Sequence, residues 1–412
     1  MSFNLTFGPY DFAGQCTELC ENLRKYTPNQ INQYKVSYNN EINLENFEKK
    51  LKNKNFKDLI INTNCISDFQ LKITKNICDN KPDLVNLWHR PFIYQPSLNY
   101  FQFSGLDISI FRSNDIKVSS RFCGYEVRDP ELEAKLNPYH PSKFGWKNPH
   151  NKFSRKLTDH MIENSDFCFV TDEEMKTYLP DDKTFIVPRM IDRDSLVDQF
   201  KIAQKKDTIK KKEYIKIVHA PTNLPIKGTK FIREAISKIK KKIKYVELTN
   251  KSKKDVMLEL ADADIAIDQM LIGWYGVFAL EALAFGCPVI CYIRPDLEHK
   301  FENTPIVPAN IENLAEKINA LIDQVLDDKE VIKKKSFDYL DKNHNPKLVV
   351  NNYMEILRNN LRNNNKNYNL TSMRDDWIKE KINPKNLTIK KIEKKIIKNN
   401  INPMKKILNY FK

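Results

Sequence analysis

The stretch 264–292, DIAIDQMLIGWYGVFALEALAFGCPVICY, narrows the possible folds more than any other part of the chain. Its apolar run at 265–267 is short and bounded, as a buried strand is, and a Gly-containing turn follows. Apolar residues then recur at helical spacing over 277–285 until Gly286 and Pro288 stop them, and a second apolar run, 289–292, begins at once. Strand, loop, helix and strand in this order predict a parallel sheet covered by helices. In such a sheet the loop opens at the carboxyl edge of the strands, where the unpaired N–H groups and positive dipole of a helix N-terminus hold phosphate. Glu281 lies one turn into that helix and is expected to reach a ligand's hydroxyls.

A chain of 412 residues, 41% of them hydrophobic, exceeds what one core covers, so two domains are expected. No apolar run approaches the roughly 20 residues of a membrane span, and the N-terminus lacks a basic segment followed by a long apolar one. The expected location is therefore cytoplasmic. The eight cysteines include no CxxC pair; Cys16/Cys20 and Cys287/Cys291, four apart, read as small apolar packing in a reducing compartment in preference to metal ligands. A net charge of +15 suggests nucleic acid until it is located. From Arg358 onward 15 Lys or Arg stand against four Asp or Glu, so the tail holds +11 of the +15. The body is nearly neutral, which argues against a basic groove, and no nucleic acid is expected as a partner.

Residues 1–195 read as one α/β unit, with short strands near 3–7, 35–38, 58–62, 84–88, 117–122, 167–170 and 184–187 between polar helical segments. That alternation predicts a doubly wound parallel sheet. The first strand ends in GPYDFAGQ, where Gly8, Pro9 and Gly14 predict a turn into a helix. The segment 138–151, PYHPSKFGWKNPHN, reads as a surface loop. A charged stretch, 192–212, suits a hinge. A second α/β unit, 207–345, follows, with a strand at 214–219, a loop at 222–228 and a helix at 229–239. Residues 346–412 are expected to form a crossing helix and a basic amphipathic tail. In that tail Ile389, Ile392, Ile396 and Ile397 fall along one helical face with Lys on the others. Two readings stand side by side: a frayed basic end, or a helix over 385–412 lying on an anionic membrane surface.

Two doubly wound domains joined by a hinge resemble the GT-B fold, and five segments in order resemble the retaining glycosyltransferases of the large family 4 type. GPYDFAGQ resembles that family's N-terminal glycine loop, FCGYEVR its His-Gly-x-Asp-x-Arg segment, and FVTDEEMKTYLPDDKTFIVPRMID its sensing strand and hinge. HAPTNLPIKGT looks like the segment with the phosphate-binding Lys, and IDQMLIGWYGVFALEALAFGCPV the one with paired glutamates. The likeness spans about residues 1–350. It implies a transferase that moves a sugar from a nucleotide-sugar donor to a glycan or lipid-linked acceptor in surface polysaccharide or glycoconjugate assembly. Three positions depart from the pattern: the Arg five before the Lys is Thr222, the first Glu, eight before Glu281, is Gly273, and the His before the N-domain glycine is Cys123.

Breaking a nucleotide-sugar bond leaves a diphosphate whose charge grows in the transition state, so a cation aimed at that oxygen contributes most there. By the resemblance Lys227 is that cation; a solvated surface Lys is the plainer alternative. The N–H groups of Gly276, Val277 and Phe278 would hold the same diphosphate. Glu281 would accept the ribose hydroxyls, since a Glu between Leu280 and Ala282 is costly to bury unpaired. Gly14, Thr222 and Asn223 complete the donor-binding set. With Gly273 in place of a carboxylate, Asp268, Trp274 and Tyr275 are candidates to meet the sugar, although the aromatics suit packing equally well. Across the cleft Glu126 and Arg128 are candidate catalytic residues that orient sugar or acceptor, with His89 and Cys123 on the acceptor side. No cofactor and no metal are expected: Asp262-Ala-Asp264 precedes its strand instead of ending one. A nucleotide-sugar epimerase of GT-B fold and a non-catalytic donor-binding module are the rival functions.

Overall fold

The computed structural model describes residues 2–11, 14–37, 57–60, 68–94, 104–146, 152–204, 213–301 and 304–361. The tail expected over 385–412 lies outside them. Two all-parallel sheets organise the chain, as the strand-helix alternation predicts. The first has seven strands in the order β3-β2-β1-β4-β5-β6-β7, formed by β1 (Asn4–Pro9), β2 (Gln30–Ser37), β3 (Lys57–Ile60), β4 (Leu84–Trp88), β5 (Lys117–Arg121), β6 (Phe167–Val170) and β7 (Thr184–Ile186). The second has five in the order β12-β11-β10-β8-β9, formed by β8 (Ile215–His219), β9 (Ile243–Glu247), β10 (Ile265–Ile267), β11 (Val289–Cys291) and β12 (Ile306–Pro308). Strands such as LVNLW of β4 are buried along their whole length, because helices cover both faces.

The strand orders place the crevices. In the first sheet the winding reverses at β1, which lies between β2 and β4; in the second it reverses at β8, between β9 and β10. Connections leave such a point toward opposite faces and open a crevice at the carboxyl ends of the strands. The glycine turn after β1 and His89 after β4 therefore border one crevice. The turn 220–228 after β8 and Asp268 after β10 border the other.

Several elements differ from expectation. Strand β2 begins at Gln30, earlier than 35, because pairing with β1 from Asn4↔Gln30 overrides the weak strand propensity of a Gln/Asn-rich run. The loop 222–228 contains a short helix, Leu224–Lys227, capped by the Asn223 side chain and carrying Pro225 in its first turn. The second domain's last helix, Leu314–Asn343, carries a break at Asp328 (φ −138°, ψ 45°). The helix Arg193–Gln204 starts inside the range assigned to the first domain, yet Leu196 and Phe200 pack in the second domain's core.

Within the segment read as a surface loop, Pro138 and 142–145 are exposed, while His140 is 1% exposed and Asn137, just before the segment, is 2% exposed. Asn137 Nδ2 donates to the Leu271 carbonyl at 2.8 Å, and Tyr139 and Phe144 meet the rings of Tyr292 and Phe231 of the second domain at 5.2 and 4.7 Å. Helix Pro346–Asn360 returns to the first domain, where Val350, Tyr353 and Leu357 join Leu5, Phe7 and Leu19 in one core. The described cysteines are free and buried.

Candidate active site

The helix Leu224–Lys227 ends at Gly228, whose φ of 71° is the left-handed conformation that turns the chain away after a last helical residue. Lys227 is that residue. Its Nζ donates to Asp268 Oδ1 at 2.9 Å and to Gln269 Oε1 at 2.8 Å. The other carboxylate oxygen, Asp268 Oδ2, accepts from the Gly276 N–H at 2.6 Å. Gly276 is the N-cap of helix Val277–Ala284, and no side chain caps that helix. A cation and the head of a helix thus converge on one carboxylate whose side chain is 1% exposed, while the Lys227 side chain is 16% exposed. An ammonium has three donors, so two are committed and one is left. His219, absent from the sequence-based candidates, steadies this turn: it bridges the Ile267 carbonyl (2.8 Å) and Thr229 Oγ1 (3.0 Å), and burial lowers its pKa to about 4, so it stays neutral.

One turn into the helix, Glu281 lies 3.2 Å from Lys253 Nζ; burial raises its pKa, against the pull of Lys253. Gly273 has a backbone reason to be glycine. Its φ is 55°, and a Cβ there would lie 3.0 Å from Cβ of Arg294, whose N–H donates to the Gly273 carbonyl at 2.9 Å. A carboxylate at this position would need a strained backbone. Trp274 and Tyr275, candidates either to meet the sugar or to pack, are core residues here, 7% and 9% exposed. The Trp274 ring lies 4.7 Å from Phe301, and the Tyr275 hydroxyl shares hydrogen bonds with Tyr339 (2.9 Å) and His344 Nε2 (3.2 Å). Thr222 and Asn223 are exposed, and Asn223 Oδ1 accepts from the Ile226 N–H.

In the first domain Gly14 (φ 75°) is the N-cap of helix Gln15–Tyr26, and a Cβ there would meet nothing within 4 Å, so this turn faces open space. Asp11, which sequence reasoning passed over inside GPYDFAGQ, accepts from the N–H groups of Cys16 (2.9 Å) and Thr17 (3.2 Å) and pairs with Lys35 at 3.0 Å. Its position just before a helix was the available signal. His89 and Glu126, assigned to different roles, form one pair: His89 Nδ1 lies 3.1 Å from Glu126 Oε1. The Cys123 N–H donates to the same oxygen. Burial alone would push the Glu126 carboxyl up, but His89 and the backbone donors outweigh it and hold it at about 2. Cys123 contributes its backbone, since its thiol is buried and its pKa is pushed up to about 12.

Arg128, expected to orient sugar or acceptor, is committed elsewhere. Its Nε and Nη2 donate to the Glu174 carboxylate at 3.0 and 2.7 Å, a buried two-pronged pair. Arg294 of the second domain approaches that carboxylate to 4.0 Å and donates to Tyr178 Oη at 3.1 Å. Arg128 therefore belongs to a bridge between domains.

Asp262 and Asp264 lie at the opposite edge of the second sheet, paired with Lys216 (3.2 Å) and Lys329 (2.6 Å). A cavity of about 430 Å³ bordered by Arg193, Asp262, Gly286 and Lys333 opens on that edge, away from Lys227. Among the described residues no group of three His, Cys, Asp or Glu is placed to hold a metal, and no helix is long and apolar enough to cross a membrane.

No family model matches the chain, and no curated protein matches it. Solved structures do. HepE from Anabaena, solved with UDP and glucose, has a TM-score of 0.55 at 11% identity, covering 87% of this chain and 100% of its own. Sucrose-phosphate synthase from Thermosynechococcus elongatus has a TM-score of 0.58 at 10% identity, covering 86% of this chain and 98% of its own. WaaG, a glycosyltransferase involved in lipopolysaccharide biosynthesis, has a TM-score of 0.52 at 11% identity over 86% of this chain and 99% of its own. Identities this low speak to fold: with its two parallel sheets and alternating helices, the chain has the GT-B fold, two Rossmann-like domains.

Proposed function

We propose that the chain is a glycosyltransferase that takes a sugar from a nucleotide-sugar donor, with retention and without a metal, and passes it to a glycan or lipid-linked acceptor. The observation that carries this reading is the convergence of Lys227 Nζ and the Gly276 N–H on the Asp268 carboxylate. Asp268 and Gln269 take two of the Lys227 donors and leave one, and the cluster lies at the switch point of the second sheet, where a nucleotide's phosphates bind in folds of this type, which supports the reading. HepE was solved with UDP and glucose, and WaaG acts in lipopolysaccharide biosynthesis; both share the fold.

In this reading Asp268 and Gln269 aim Lys227, and its third N–H meets the diphosphate beside the N–H groups of Val277 and Phe278, since the Gly276 N–H is held by Asp268. As the glycosidic bond breaks, charge gathers on the leaving oxygen, and a fixed ammonium stabilises it more than it stabilises the ground state. Glu281 takes the ribose hydroxyls, exchanging Lys253 for them. Gly14 leaves room for the sugar on the facing domain, and the His89–Glu126 pair lies at the crevice where an acceptor approaches. Retention requires no protein nucleophile in this arrangement, because the leaving diphosphate can guide the incoming hydroxyl to the same face.

Incubating the full chain with a panel of nucleotide sugars, without acceptor, tests the proposal. Slow release of nucleoside diphosphate from one donor supports it. Exchange between sugar isomers would make the protein an epimerase, and binding with no turnover, even with glycan and lipid-linked acceptors, would make it a donor-binding module.

A further inference from the structure

The helices Pro130–Leu136 and Lys152–Asn164 and the turn 177–180 border a groove of about 570 Å³ on the first domain. Residues 155, 159, 162 and 163, spaced as neighbours on one helical face, run along it. Its floor is apolar: Leu132 is 37% exposed there, and Ile162 and Leu179 lie beneath. Its rim is acidic. Asp129, Asp159 and Glu163 stand against one cation, Arg155, which lies 2.9 Å from Asp159 and 3.9 Å from Asp129. Just past the end of the groove at Pro180, Asp181 adds a further carboxylate, held only loosely by Lys176 at 3.5 Å.

An apolar floor with a surplus of carboxylates on its rim matches a segment of the opposite pattern, apolar on one helical face and basic on the others. The chain carries such a segment. Over 389–398 five Lys stand against one Glu, and Ile389, Ile392 and Ile396 fall at i, i+3 and i+7. The segment is also within reach. Helix Pro346–Asn360 ends on the first domain, where Leu361 packs against the same core as Phe3 and Ile31. The 28 residues from Leu361 to Ile389 can span roughly 90 Å, against a width of about 40 Å for a domain of this size. Tethering over that length sets an effective concentration on the order of 1 mM, which favours the chain's own tail over that of a second copy.

We propose that residues 389–398 dock as a helix in this groove, with the isoleucines on Leu132, Ile162 and Leu179 and the lysines along the acidic rim. Thr177 and Tyr178 border the groove and accept from Arg294 of the second domain at 3.3 and 3.1 Å, so the docked tail lies against one end of the bridge between domains. The inference does not depend on the reaction proposed for the donor cluster.

The test uses the full chain and carbodiimide coupling, which joins a carboxylate to an amine in contact with it, followed by mass spectrometry of the linked peptides. The expected result is linkage of lysines 390–398 to Asp159 and Glu163, at a yield that does not change on dilution. In Ile392→Ser/Ile396→Ser that yield should fall about tenfold or more, and in Leu132→Asn, at a position on the groove itself, by about threefold, the scale of the apolar contact removed. Both variants change exposed or tail positions, so loss of the fold does not cloud the comparison. Linkage scattered over carboxylates elsewhere on the body would overturn the proposal, as would yields untouched by either variant. A yield that falls on dilution would give the groove to the tail of a second copy. Absence of the links while the full chain floats with vesicles of equal parts phosphatidylserine and phosphatidylcholine would give the tail to an anionic membrane. Either of these results also overturns the proposal.

Discussion

At the scale of single residues, Asp268 holds both the Lys227 ammonium and the Gly276 N–H, and an amide in its place could accept from only one of them. In Asp268→Asn the cation is expected to lose its aim while a negative charge leaves the neighbourhood of the diphosphate. Turnover should then fall about tenfold or more, as for a small misplacement of a reacting group, with a lower KM for the donor because like-charge repulsion is gone. Steady-state kinetics separates the two effects, and an unchanged kcat would show that Asp268 does not position Lys227. Gly273 makes an opposite point. The family pattern invites Gly273→Glu as a repair, but φ of 55° and the 3.0 Å approach to Arg294 make it a backbone requirement. The substitution should destabilise by about 1–3 kcal/mol in urea unfolding, the usual cost of a side chain in a sparse backbone region. The turn that carries Lys227 and the helix that carries Glu281 were legible in sequence because Gly residues and apolar periodicity mark them, whereas the roles proposed for the two side chains come from the resemblance. The commitment of Arg128 to Glu174 was not, because partners 46 residues apart leave no local pattern.

At the scale of elements, strands and helices were read closely where apolar runs were bounded by Gly or Pro, as at β10 and helix Val277–Ala284. They were misread where tertiary contacts decided the outcome. The strap around Asn137–Phe144 looked solvent-loving by composition, yet its polar groups are satisfied against the second domain. Helix Pro346–Asn360 was expected to cross, and its anchor is Tyr353, buried between Phe7 and Phe169 with its hydroxyl accepting from Asn86. Tyr353→Ala should cost about 3–5 kcal/mol by equilibrium unfolding, the range for emptying an aromatic site. A cost under about 1 kcal/mol would mean that the helix does not anchor the first domain.

At the scale of the whole molecule, the two domains are joined by packed and charged contacts, and the cleft between them carries an unusual carboxyl. Burial raises the Glu18 pKa to about 7, helped by Glu21, Asp192 and Glu281 and opposed by Lys253. An acid whose folded pKa lies above its unfolded value binds more protons when folded, so its penalty is absent below pH 4.5, grows as pH rises, and is complete above pH 7. Glu18→Gln should therefore raise the thermal midpoint at pH 8 and leave it unchanged at pH 4; a uniform shift at both would place the effect outside Glu18 titration. The two-sheet architecture was open to sequence reasoning because strand-helix alternation determines it, while cross-domain charge was closed to it because it depends on which faces meet. The central claim is that Lys227 and the first free N–H groups of helix Val277–Ala284 hold a donor's diphosphate. Nucleoside diphosphate release from the nucleotide sugar that the wild type turns over, compared with release by Lys227→Ala, tests it most directly. The expected result is a loss of ~100-fold or more, the scale for removing one charge-stabilising donor, and equal release by the two proteins would contradict it.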